Sequence, residues 1–100
     1  LIKEKMQLEI ITPEAKIFSG EADAVQFPGL DGSFQVLDHH AAIISALLKG
    51  VVKANLKNAF DSPEKSDLVH VDQKDSKVIR VDIKGGVVEM LNNKVIVLAE

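Results

Sequence analysis

The chain has 100 residues, 46% of them apolar, a formal net charge of −3 and no cysteine. That length makes one domain, which buries only about 60–70% of the surface its unfolded chain exposes and so leans on partners for stability. The mixed charge lacks the basic stripe of a nucleic-acid binder, and the missing thiols exclude a disulfide framework and cysteine metal sites.

Residues 1–5 are mostly charged, do not form a secretory signal, and read as a flexible or cloning-derived extension ahead of Met6; residues 6–100 read as the domain. "QLEII" (Gln7 to Ile11) alternates, with Leu8 and Ile10 on one face, and Pro13 ends that strand because it has no ladder N–H. "ADAVQF" puts Val25 and Phe27 on one face, "PGLDGS" is dense in turn formers, and "FQVL" resumes the alternation. "AAIISALLKG" ends in Lys49-Gly50 as a helix would, but Ile43-Ile44 and Val51-Val52 favour extended structure, which leaves room for one helical turn at most. "GVVKANL" and "KVIRVDIK" are strands; in the second, Ile79, Val81 and Ile83 face the core and Arg80, Asp82 and Lys84 face water. Between them, Asn58 to Lys77 is polar, contains Pro63, and is expected to form a long, mobile hairpin or excursion. Gly85-Gly86 permits a bulge or tight turn, and Asn92-Asn93 a two-residue turn, so Val87 to Ala99 reads as a β-hairpin.

The longest apolar run, Ala41 to Leu48, is eight residues interrupted by Ser45, far short of the roughly 20 that span a bilayer. With four Phe and no Trp or Tyr, the chain lacks the exposed rings on which sugar and base-stacking modules depend. Many short strands between turn signals predict an all-β antiparallel sandwich or barrel.

Little here points to catalysis. His39 and His40 are adjacent, and on a strand they would point to opposite faces, so one metal ion could not take both. In a loop they could, with Asp38 or His70 as a third ligand, but no spacing enforces it. No serine sits in a G-x-S-x-G elbow, and Gly85-Gly86 lacks the lysine of a phosphate loop. The residues alone describe a soluble all-β domain of the kind that binds other proteins.

The order of motifs is more specific. Thr12-Pro13, Phe18-Ser19-Gly20, Pro28-Gly29 with Gly32, His40-Ala41, Leu47 with Gly50, and Gly85-Gly86, Glu89, Asn93 and Val97-Leu98-Ala99 resemble, in sequence and spacing, the epsilon subunit of rotary ATP synthases. The match runs from Met6 onward and is weakest over Asn58 to Lys77. The resemblance implies a flattened antiparallel sandwich of two five-stranded sheets. It also implies a non-catalytic, cofactor-free central-stalk subunit that binds the gamma subunit and the ring of c subunits. Such a subunit helps couple ion translocation to ATP synthesis and is peripheral to the cytoplasmic face of the bacterial inner membrane, without inserting into it or binding nucleic acid. By position, the gamma-facing surface would include Thr12, His40 and Ser45, and the ring-facing surface the turn Leu30, Asp31, Gly32 and Ser33.

Two departures stand out. Where the family reads P-G-H-A-P, this chain has Asp38-His39-His40-Ala41-Ala42, without either proline and with His39 in place of the glycine. Two helices follow the sandwich in many family members, whereas this chain stops at Glu100, so it is expected to be a natural short form or a truncated one, without the helical brake. The competing readings are a free-standing β-sandwich binding module with no ATP synthase role, motivated by the polar stretch and the missing helices, and a histidine-based metalloenzyme.

Overall fold

A computed structural model describes residues 5–62 and 65–100. The proposed N-terminal extension, apart from Lys5, and Pro63 lie outside the described residues. Nine strands occur among those described: β1 (Gln7–Ile11), β2 (Lys16–Gly29), β3 (Gly32–Leu37), β4 (Ile43–Leu47), β5 (Gly50–Leu56), β6 (Val69–Val71), β7 (Val78–Ile83), β8 (Gly86–Leu91) and β9 (Lys94–Ala99). Ile43–Leu47 is a strand, not a helical turn, as its β-branched pair favours. No helix is long and apolar enough to cross a membrane among the described residues.

β2 organises the fold. Its 14 residues would run roughly 45 Å if straight, longer than the molecule's 34 Å long axis, so it must bend. The bend coincides with a register shift between Ala22 and Ala24 opposite β5, where the extra residue of a bulge increases twist. Before the bend β2 pairs with β1; after it, with β3 and β5. β3 and β5 flank the second half of β2 on opposite edges, β7 and β6 continue beyond β5, and β1, which pairs with the first half, leads through β9 and β8 to β4. Hydrogen bonding runs unbroken through all nine. The expected pair of separate antiparallel five-stranded sheets is thus corrected in two respects: the ladder is one continuous sheet shared through β2, and it is mixed, since β1 and β9 are parallel.

The core collects the inward positions of these strands: Leu8 and Ile10, Val25 and Phe27, Val52 and Ala54, Ile79 and Val81, Val88 and Met90, Val95 and Val97. Each large side chain contributes about 1.5–3 kcal/mol by leaving water. No polar or charged residue is buried among those described, so the interior provides no groups for chemistry.

The turns follow their sequence signals. Asn92 and Asn93 take φ of 51° and 61°, the left-handed pair that a tight hairpin between β8 and β9 requires. Gly86 has φ +150°, and a Cβ there would run into the Leu98 carbonyl oxygen on β9. The described residues between β5 and β7 are tied back to the fold at several points. Leu56 and Phe60 donate backbone hydrogen bonds to Lys77 and Ser76, and β6 pairs with β7. Asp72 then accepts from the Lys74 and Asp75 amides and from Arg80.

Candidate functional site

In a two-layer β fold each strand buries one parity of its residues and turns the other outward. On β5 and β7 the outward set includes polar Lys53, Asn55, Arg80 and Asp82, with Gln26 of β2 and His70 of β6 in the same rows. On β4, β8 and β9 it is mostly aliphatic, with Glu89 and Lys94 as the charged exceptions. The register aligns Ala46, Val87, Leu98 and Ile11 in one cross-strand row, and Ile44, Glu89, Ile96 and Glu9 in the next. Leu91 stands opposite Lys94 beyond them. Ile44 is 76% exposed, Leu98 57%, Leu91 54% and Val87 41%.

This contiguous apolar face is the most distinctive feature of the surface, because a folded chain normally scatters its exposed aliphatics singly. Its sequence signature is the doublet: "VIVL", "VVEML" and "IISALL" are apolar at both parities, the pattern of strands covered on both faces. At one corner Ala42, Ile43, Ile44, Glu89, Met90 and Leu91 line a shallow hollow of about 400 Å³. Glu89 rises amid these side chains without an ion pair among the described residues, whereas Glu9 has Lys16 and Lys94 each at 3.8 Å.

The residues expected to face gamma are spread around this surface. Thr12 follows the C-terminal end of β1, where its hydroxyl and amide engage the Ala15 carbonyl and its Oγ1 accepts from the Ala15 amide. His40 lies in the β3–β4 loop beside the β8–β9 turn, at the other end of the face. Its amide donates to the Leu37 carbonyl and its Nδ1 is 2.8 Å from the Ala41 oxygen. Ser45 points to the side of β4 opposite Ile44 and is half-buried along an edge that pairs with β2 only at Leu47. Thr12 and His40 are therefore not neighbours; they bracket the apolar rows, with Ser45 on the margin.

The turn Leu30, Asp31, Gly32 and Ser33 is a separate projection at the tip of the β2–β3 hairpin, six residues of β3 away from the His40 loop. Gly32 takes φ +113° after the two turn residues, a common way to close such a hairpin. A Cβ on Gly29 would strike the Phe34 ring, 2.7 Å away. The glycines thus hold Leu30 and Asp31 out in solvent, with Asp31 free of ion pairs among the described residues.

The histidines do not gather a metal site: no three His, Asp or Glu side chains converge among the described residues. His70 pairs instead with Asp82 at 2.8 Å on the opposite layer. Another hollow, of about 370 Å³, lies where Phe60 packs beside Phe18, their ring centroids 6.1 Å apart.

Comparison with known proteins agrees with this architecture. Residues 5–65 match the family model described as ATP synthase, Delta/Epsilon chain, beta-sandwich domain. The chain is 38% identical over 96 residues to the ATP synthase epsilon chain of Sulfurimonas denitrificans, covering 96% of this chain and 61% of that one. It is 37% identical over 94 residues to that of Chlorobium limicola, covering 94% and 88%. The chain thus spans about three-fifths of the first relative's length. Among solved structures, it resembles a chain in the central stalk/c-ring of the Tetrahymena thermophila mitochondrial ATP synthase, with TM-score 0.71, 15% identity, and coverage of 97% and 64%. A second match is a chain in the Euglena gracilis mitochondrial ATP synthase OSCP/F1/c-ring structure, with TM-score 0.74, 15% identity, and coverage of 99% and 52%. At that identity the likeness concerns the fold.

Proposed function

The chain belongs to the ATP synthase delta/epsilon β-sandwich domain family, and from that premise we propose that it is a non-catalytic central-stalk element of a bacterial rotary ATP synthase. In this reading it binds the gamma subunit through the outer face of β4, β8, β9 and β1, and rests on the c-ring through the β2–β3 turn. It lies peripherally at the cytoplasmic side of the inner membrane. The observation that carries the reading is the apolar face itself. Four aliphatic side chains at 41–76% exposure on three adjacent strands are costly to leave in water and suited to a permanent partner.

The positions transferred from the family fit as margins of that face. Thr12 and His40 would make polar contacts to gamma at its two ends, with Ser45 at its side. Leu30 to Ser33 form a second, separate projection, and its exposed Asp31 carboxylate suits a basic or amide group on a c-subunit loop. A rotor element that transmits torque needs two contact surfaces held by a rigid body between them, and a β fold with a fully apolar core supplies that body. Solvated polar contacts each contribute only about 0–1 kcal/mol, so the apolar rows carry affinity and the polar margins carry orientation.

The reading is tested by mixing the purified chain with a bacterial catalytic sector that contains gamma and has been stripped of epsilon. A one-to-one complex at low and moderate salt is expected. Absence of association under both conditions would overturn the assignment and favour a β-sandwich module with another partner.

A further inference from the structure

The loop that carries His40 lacks the prolines and the glycine of the family motif it resembles, yet hydrogen bonds tie it to other parts of the chain. His39 takes φ 65°, a left-handed geometry that glycine adopts freely and a Cβ-bearing residue resists. What holds it comes from far along the chain. The Oδ1 of Asn93 accepts the His39 amide N–H at 2.8 Å, and its Nδ2 donates to Asp38 Oδ1 at 2.7 Å. The Asn93 carbonyl accepts the Gln7 amide at 3.0 Å, which fixes the turn to the start of β1. Asp38 Oδ1 is also 3.0 Å from His39 Nδ1, and the Asp38 amide donates to the Asp23 carbonyl at the β2 bulge.

We infer that Asn93 is the positioning residue of the His40 loop. Its side chain ties the loop to the β8–β9 turn across 54 residues of sequence, and it thereby sets the Ala42–Ile44 wall of the hollow at the corner of the docking face. The effect on docking rests on the proposed function; the effect on the loop does not. Asp38 is the complementary half of the device: a proline there could accept nothing from Asn93 Nδ2, whereas a carboxylate can.

Two glycine substitutions separate this role from the turn. Asn92 and Asn93 both have positive φ, so Asn92→Gly and Asn93→Gly each preserve the hairpin geometry, but only the second removes the bonds to His39 and Asp38. Hydrogen exchange followed by NMR should show the His39 amide exchanging about tenfold faster in Asn93→Gly, the consequence of losing one hydrogen bond. It should be unchanged in Asn92→Gly, with core amides of β8 and β9 equally protected in both. Affinity for the gamma-containing catalytic sector should fall about tenfold for Asn93→Gly alone, since most of a docking loop's contribution depends on its being pre-formed. A wild-type exchange rate at His39 in Asn93→Gly, or equal acceleration in both variants, overturns the inference. If the wild-type chain fails to bind the sector, the proposed function falls and the docking role of Asn93 with it, while the exchange result still decides whether Asn93 holds the loop.

Discussion

Replacing Ile44 with threonine separates docking from folding. Ile44 is 76% exposed, so its side chain adds little to the isolated fold, and threonine keeps the β-branching that suits a strand. Burying an isoleucine fully is worth about 1.5–3 kcal/mol; with about three-quarters of it still available, docking gains roughly 1–2 kcal/mol that threonine largely forfeits. At 1.4 kcal/mol per factor of ten, that is about a five- to thirtyfold weaker complex. Titration calorimetry or interferometry with the gamma-containing catalytic sector reads the affinity, and urea unfolding of the free chain reads stability, expected to change by no more than about 0.5 kcal/mol. The control is Lys53→Ser on the opposite layer, where the outward rows are polar. Unchanged affinity for Ile44→Thr, together with a loss for Lys53→Ser, would place the partner on the wrong face and refute the reasoning.

Four further substitutions test the body that carries this face. Gly86→Ala drives a Cβ into the Leu98 carbonyl at φ +150° and should cost at least about 2 kcal/mol in urea. Gly85→Ala meets its nearest atom only at 3.5 Å and should cost less; equal losses would contradict the close β8–β9 approach. Phe27→Ala empties a fully buried site against Phe34, ring centroids 5.4 Å apart, and should cost about 3–5 kcal/mol, enough to unfold much of the free chain as followed by circular dichroism. The Arg80 hydrogen bond, and then the Lys74 amide, hold the Asp72 carboxyl below its ordinary value of 3.8. A lowered folded value means that the stabilisation is complete above the unfolded carboxylate range and is lost as pH falls through the folded value. Asp72→Asn should therefore be less stable than wild type near neutrality and converge with it below pH 3.8, and a gap that persists in acid would refute the link.

The strands were legible because burial enforces period two. Leu8 and Ile10, Val25 and Phe27, and Ile79, Val81 and Ile83 all point inward as their alternation required. Asn92-Asn93 was legible because only a few residues tolerate its dihedrals. Local pattern could not show that β2 serves both layers, since that follows from its length against the size of the whole molecule and from a bulge at Ala22–Ala24. Nor could it orient β4: Ile43, Ile44 and Leu47 were equally apolar in sequence, and only pairing with β8 turns Ile44 outward and Leu47 inward. In sequence Val87 to Ala99 read only as a hairpin, because the apolar doublets of β8 and β9 need the register to become a surface. The His39 conformation was hidden because its support, Asn93, arrives from another hairpin. The positions transferred by resemblance, Thr12, His40 and Ser45, lie around the margins of the face, whose exposed aliphatics include Ile44, Val87 and Leu98.

The central claim is that the outer face of β4, β8, β9 and β1 is the surface by which this chain is held on gamma. Hydrogen–deuterium exchange of the chain, free and bound to the gamma-containing catalytic sector, maps that surface directly. The account expects new protection across 43–46 and 86–98 and in the His40 loop, with the layer bearing Lys53, Arg80 and His70 unchanged. Protection confined to that polar layer, or none on the apolar strands of a stoichiometric complex, would contradict it.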